Sequence, residues 1–244
     1  MTTPPRDALL DKVRKLLTQA EDPACTPAEA ETFNAKAVEL IARYGIEAAL
    51  LANAGQSRET VGRRTITVDP PYVHDKATML GAIAVPLRCQ VLYSNHSRRG
   101  EVFGYEVDLE RVELLYTSLL LQATTQLVRV VPPEQNVYGR RESTAAYRRS
   151  WFDGFAMSIY YRLLGAEQRA EAKRPTTASG TSTALVLADR QQQVAQAVTD
   201  AYPHQHRARG RRLSGTGFDD GVEAAKRADL GATRVGDQRP EVER

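Results

Sequence analysis

The sequence predicts a mainly helical α+β fold: an N-terminal helical hairpin, then a small antiparallel sheet packed by long amphipathic helices. Apolar residues recur at three- and four-residue steps through several long stretches, which gathers them on one helix face. The β-prone runs between them are short and bounded by proline, glycine, asparagine or serine. Helix-capping residues stand at the starts of the periodic stretches. A chain of 244 residues that is 42% hydrophobic and 26% charged has the composition of a packed globular protein.

Leu9, Leu10, Val13, Leu16 and Leu17 form the stripe of a first helix, which the proline and acids near Gln19 to Pro23 interrupt. The second helix opens with Thr26 as cap, Pro27 at its first position and Glu29 where a capping box needs it. Its stripe is Ala30, Phe33, Ala37, Leu40, Ile41 and Tyr44, and Gly45 is placed to end it as a left-handed residue. Two such helices joined by a short connection pack antiparallel.

The run Leu10-Asp11-Lys12-Val13-Arg14-Lys15-Leu16-Leu17, the connection after it, and Glu29-Ala30-Glu31 through Ala42-Arg43-Tyr44-Gly45-Ile46 resemble the bacterial and phage family called domain of unknown function 2786, DUF2786. The resemblance spans about residues 6–50. Members usually carry a second uncharacterised region, and Gly104-Tyr105 to Leu121 and Tyr147 to Leu164 resemble parts of it. The resemblance implies an uncharacterised bacterial or phage-type protein and assigns no activity to any residue.

Beyond Ala49, the polar stretch through Arg63 reads as a linker or long loop. Thr65 to Val68 is a short strand, Tyr72 to Val85 a helix ended by Pro86, and Cys89 to Tyr93 and Glu101 to Val107 the arms of a hairpin. Asp108 is placed to cap a long helix with the stripe Leu109, Val112, Leu115, Tyr116, Leu119, Leu120, Ala123 and Leu127. Ser143 is the candidate cap of the next, where Tyr147, Trp151, Phe155, Ile159 and Leu163 share a face. Residues 167–182 turn charged and then Thr/Ser/Gly-rich, as a flexible linker does. Leu185-Val186-Leu187 reads as a strand, Asp189 to Ala201 as a Gln-rich helix, and Gly217 to Leu230 as a last helix whose Gly221 and Ala224 permit close packing. The expected organisation is a two-helix unit at 1–50, an α+β core at 63–166, the linker, and a C-terminal segment at 183–244 with a basic loop.

Bulk charge and cysteine usage narrow the function classes. The net charge of +3, from 33 basic against 30 acidic residues, is too small for a whole-protein attraction to polyanions. Cys25 and Cys89 stand far apart and form no CxxC pair, so no disulfide framework or zinc ribbon is expected. No apolar run approaches membrane-spanning length and the first residues lack a signal-peptide pattern, which predicts a cytoplasmic protein without a membrane partner.

Charge is concentrated locally. Arg140, Arg141, Arg148 and Arg149 cluster around a helix start, and Arg207, Arg209, Arg211 and Arg212 crowd an acid-free loop. Forked guanidinium donors suit phosphate, so these eight are the candidate nucleic-acid contacts. The plainer alternative is that they are solvated surface charge. The N-terminal unit is not a recognition element: residues 1–62 carry 7 basic and 9 acidic side chains, a balance of −2.

No catalytic, metal or cofactor site is expected. His204 and His206 have no third ligand and sit among arginines, while His74 with Asp75, and His96, read as surface residues. Glu171 and Lys173, with Asp153 upstream, lack a rigid setting for metal-dependent chemistry. Ser150 and Ser158 lack a glycine-flanked elbow, and Cys25 reads as a small loop residue. Tyr147, Trp151 and Phe155, at four-residue steps, read as core rather than as a base-stacking platform. The expectation is a non-catalytic nucleic-acid-associated or regulatory protein, with a protein-interaction module and an enzyme assembled from scattered residues as alternatives.

Overall fold

The computed structural model describes residues 26–55, 59–94, 96–134, 141–177, 180–205 and 210–228, with Lys15 and Gly139. Apart from Lys15, the first predicted helix lies outside the described residues, and so do Cys25, Arg140, His206, Arg207, Arg209 and Leu230. The described part is mainly helical with one three-stranded antiparallel sheet, in the order α1 (Pro27–Asn53), β1 (Val61–Thr67), α2 (Val73–Ala84), β2 (Gln90–Ser94), β3 (Arg99–Tyr105), α3 (Glu106–Arg129), α4 (Thr144–Ala172), α5 (Thr183–Ala201) and α6 (Phe218–Arg227).

Helix α1 starts as the sequence predicts. The Thr26 hydroxyl accepts from the Glu29 amide and the Glu29 carboxylate accepts from the Thr26 amide, a complete capping box. Its end differs from expectation, because the helix passes through Gly45 to Asn53. Ile46 and Ala49 continue the buried stripe, and their burial outweighs the ~1 kcal/mol that a mid-helix glycine costs. Much of the expected linker is therefore the last turn of α1 and the first residues of β1.

Strand β3 is central, with β1 and β2 antiparallel on either side. Alternation along it sorts the two faces. Phe103 and Tyr105 pack with Val194 and Val198 of α5, whereas Val102 joins the main core, and Gly100 and Gly104 lie under Leu80 and Cys89. The Leu185-Val186-Leu187 triplet belongs to α5 and is not a strand. Val186, Leu187, Arg190, Val194 and Val198 are buried at helical spacing while Leu185 is exposed; Leu187 packs in the main core and Val194 and Val198 on the sheet, so one helix stripe serves both.

The main core runs without a break from Ala37 in α1 to Ala228 after α6. Tyr147, Trp151, Phe155, Ile159 and Leu163 all lie in it, with Trp151 stacked on Phe155 at 5.2 Å. Helix α4 extends to Ala172, so the expected linker begins about six residues too early, and Glu167 is buried. Asp108 is not the cap of α3, which starts at Glu106. It lies in the first turn, where its buried carboxylate accepts from Arg111 at 2.7 Å.

That contact belongs to a buried network of four charges. Arg111 also donates to Glu167, and Arg88 donates to Glu167 at 2.7 Å and lies 3.5 Å from Asp108. Two cations thus face two anions, the balance that makes such burial tolerable. The network joins the residues after α2 to α3 and α4, and the Arg111 guanidinium rests on Gly45 of α1, where no side chain intervenes. Burial next to this network pushes the Cys89 thiol far above its ordinary range.

Candidate functional site

Helix α6 runs alongside α4 in the same direction, and glycines set the spacing. Side chains at Gly154 and Gly221 would overlap the backbone carbonyls of Phe218 and Trp151, and one at Gly215 that of Ala146. The Tyr147 hydroxyl donates to Asp220, and Thr216 donates its amide to Glu142 at 2.7 Å and its hydroxyl at 2.5 Å. Arg162 donates to the carbonyls of Ala225 and Ala228, which closes the far end of α6. The segment before α6 is thereby strapped along the start of α4, and it carries Arg211.

Arg211 enters a cleft of about 710 Å³. Its walls are Pro71 to Asp75 at the start of α2, Tyr93 and Arg98 from the β2–β3 hairpin, Ala145 and Arg149 in the first turn and a half of α4, and Arg211 itself. The buried Asp75 carboxylate accepts from Arg211 at 2.5 Å, which fixes one guanidinium. Arg98 and Arg149 are exposed, and their guanidiniums have no ion-pair partner among the described residues. The cleft therefore presents two free cations beside a paired one. Asp153 lies close to this pair: burial raises its pKa, Arg211 pulls it back and Asp75 adds to the rise.

Aromatic rings occupy the same walls. His74 meets Tyr93 edge-on, with centroids 6.0 Å apart and planes at 73°, and Tyr72 packs 6.0 Å from Phe152 of α4. Tyr72 (φ 64°) and Arg98 (φ 52°) both take left-handed backbone, and the third such non-glycine among the described residues, Arg88, holds the buried network. This conformation is unfavourable for side-chain-bearing residues and is found where surrounding structure enforces it.

Of the eight arginines expected from sequence, Arg149 and Arg211, one from each group, meet in this cleft. Arg141 and Arg212 are exposed and Arg148 is half-buried, and none of the three lines it. The other three lie outside the described residues. His74 and Asp75, expected to be ordinary surface residues, form part of its wall. Tyr72, Tyr93 and Arg98 were not expected; the only local signals are the Pro-Pro turn before α2 and the basic turn Ser97-Arg98-Arg99. Elsewhere, Lys173 pairs with Glu39, so Glu171, Lys173 and Asp153 do not gather. Among the described residues no three His, Cys, Asp or Glu side chains form a metal-ligand set. Cys89 is a free thiol, and no described helix is long and apolar enough to cross a membrane.

Fold and cleft together define a mainly helical α+β protein with a basic, aromatic-walled cleft. Its N-terminal residues 8–48 match the family model DUF2786, described as a protein of unknown function. No curated protein and no solved structure matches the chain.

Proposed function

We propose that this chain is a non-catalytic nucleic-acid-binding protein that grips phosphate groups in the cleft between α2, the β2–β3 turn and the start of α4. The observation that carries the proposal is the meeting of Arg149 and Arg211 with Arg98, from three separate segments, in one concavity. Guanidinium forks match phosphate oxygens, and a local concentration of them acts even where the net charge is only +3. The lining is made chiefly of cations and rings, and its one carboxylate, Asp75, is engaged by Arg211.

Titrating the full chain into labelled oligonucleotides at several salt concentrations, with fluorescence anisotropy as readout, tests this. Two or three neutralised phosphates give a log–log salt slope of about −1.4 to −2.1 on single strands. Arg149→Ala and Arg98→Ala each lower affinity and flatten the slope by about 0.7, whereas Arg129→Ala, exposed at the end of α3 and off the cleft, changes neither. No binding at low salt, or binding indifferent to Arg98 and Arg149, refutes the proposal.

A further inference from the structure

We infer that the cleft selects single-stranded nucleic acid, with one unstacked base lodged against Tyr93 and His74 while Arg98 and Arg149 hold flanking phosphates; this rests on the phosphate-binding proposal above. Phosphate contacts alone do not separate a single strand from a duplex, because both present the same charged oxygens. The cleft offers more than charge. Its volume of about 710 Å³ lies in the range of sites that enclose a small ligand. It therefore has room for an extruded base, which a duplex supplies only at the cost of unpairing and unstacking it. Rings that can stack on any base, beside cations that track the backbone, form the combination used on single strands.

The rings are held in place for that task. The contact with Phe152 ties Tyr72 to α4, and left-handed backbone at Tyr72 and Arg98 sets one ring from the start of α2 and one cation from the β2–β3 turn in the cleft wall. The T-shaped geometry of His74 and Tyr93 leaves at least one face of the tyrosine ring outside that pair. Asp75, directly after His74, directs Arg211 inward and is itself neutralised by it, so its carboxylate does not repel an entering phosphate.

Competition among three probes of equal length tests the inference: an intact single strand, the corresponding duplex, and a single strand of abasic residues that keeps its phosphates. The intact strand should bind at least about five-fold more tightly than either of the others, since one base stacked on an aromatic side chain contributes that much or more. Tyr93→Leu and His74→Ala should erase this preference and leave the salt slope unchanged, and Arg149→Ala should weaken all three probes. His74 is exposed, so His74→Ala keeps the test intact if Tyr93→Leu unfolds. Equal affinity for intact and abasic strands, or a preference that survives both substitutions, overturns the single-strand inference and leaves phosphate binding standing. If none of the probes binds at low salt, both fall.

Discussion

Replacing glycine by alanine inside a helix ordinarily stabilises a protein by up to about 1 kcal/mol, since alanine has less backbone freedom to lose. Two mid-helix glycines in this chain should respond with opposite signs. At Gly81 in α2 a new methyl group meets nothing within 4 Å, and Gly81→Ala should gain that increment. At Gly45 in α1 the methyl overlaps the Arg111 guanidinium. That group cannot swing aside freely, because Arg111 is 1% exposed and is held between Asp108 and Glu167. Displacing it from one carboxylate breaks a buried ion pair, which costs about 3–5 kcal/mol. Setting the helix gain against that loss, Gly45→Ala should destabilise by roughly 2–4 kcal/mol. Urea unfolding followed by the fluorescence of Trp151, the single tryptophan and 1% exposed, reads the difference directly. In an Arg111→Ala background the same change should recover the gain, which makes the coupling measurable as a double-mutant cycle. A Gly45→Ala protein as stable as Gly81→Ala would refute the reasoning.

Three further outcomes follow from other parts of the fold. In a Cys25→Ser protein, Cys89 should resist thiol reagents until global unfolding, because burial keeps it protonated; labelling rates measured against urea concentration check this. Gly221→Ala should cost about 1–3 kcal/mol by overpacking, since its methyl meets the Trp151 carbonyl, and the urea midpoint reports it. Asp153 has a folded pKa raised above its ordinary value of 3.8, so between that value and the folded pKa the folded state holds a proton that the unfolded state has lost. Its contribution is therefore fully present at low pH and declines as pH rises through the folded pKa. Asp153→Asn should remove that decline and gain on the wild type toward neutral pH, as paired urea titrations across the acid range would register.

Local signals made most of the fold legible. Thr26 with Glu29 defined the start of α1, and four-residue spacing placed Trp151 and Phe155 in the core, because both features act within one helix turn. Gly45 was misread for a related reason. Its role depends on Arg111, sixty-six positions away, and nothing near residue 45 distinguishes a glycine that ends a helix from one that admits a guanidinium. The Leu185 triplet has the composition of a strand, and only the long-range packing of Leu187 in the main core and of Val194 and Val198 on Phe103 and Tyr105 shows that it opens a helix. The cleft was half legible. Clustered charge singled out Arg149 and Arg211, but solitary residues such as Tyr93, His74 and Arg98 acquire meaning only when the hairpin turn is brought against the start of α2.

The same dependence ties the stability of the C-terminal packing to the chemistry of the cleft. Arg211 lies in the strapped segment shortly before Gly215, and Gly215 and Gly221 hold that segment and α6 closely against the backbone of α4. A side chain at either position should lift the strap from α4 and draw Arg211 from Asp75. Asp75 is then left as a buried, unpaired carboxylate in the wall of the cleft proposed to hold phosphate. One substitution in a helix contact would thus convert a neutralised wall into a repelling one. In Gly221→Ala, nucleic-acid affinity should therefore fall further than in Arg149→Ala, even though residue 221 does not line the cleft. An affinity that stayed at the wild-type value while the urea midpoint dropped would show that the strap stabilises the fold without placing Arg211.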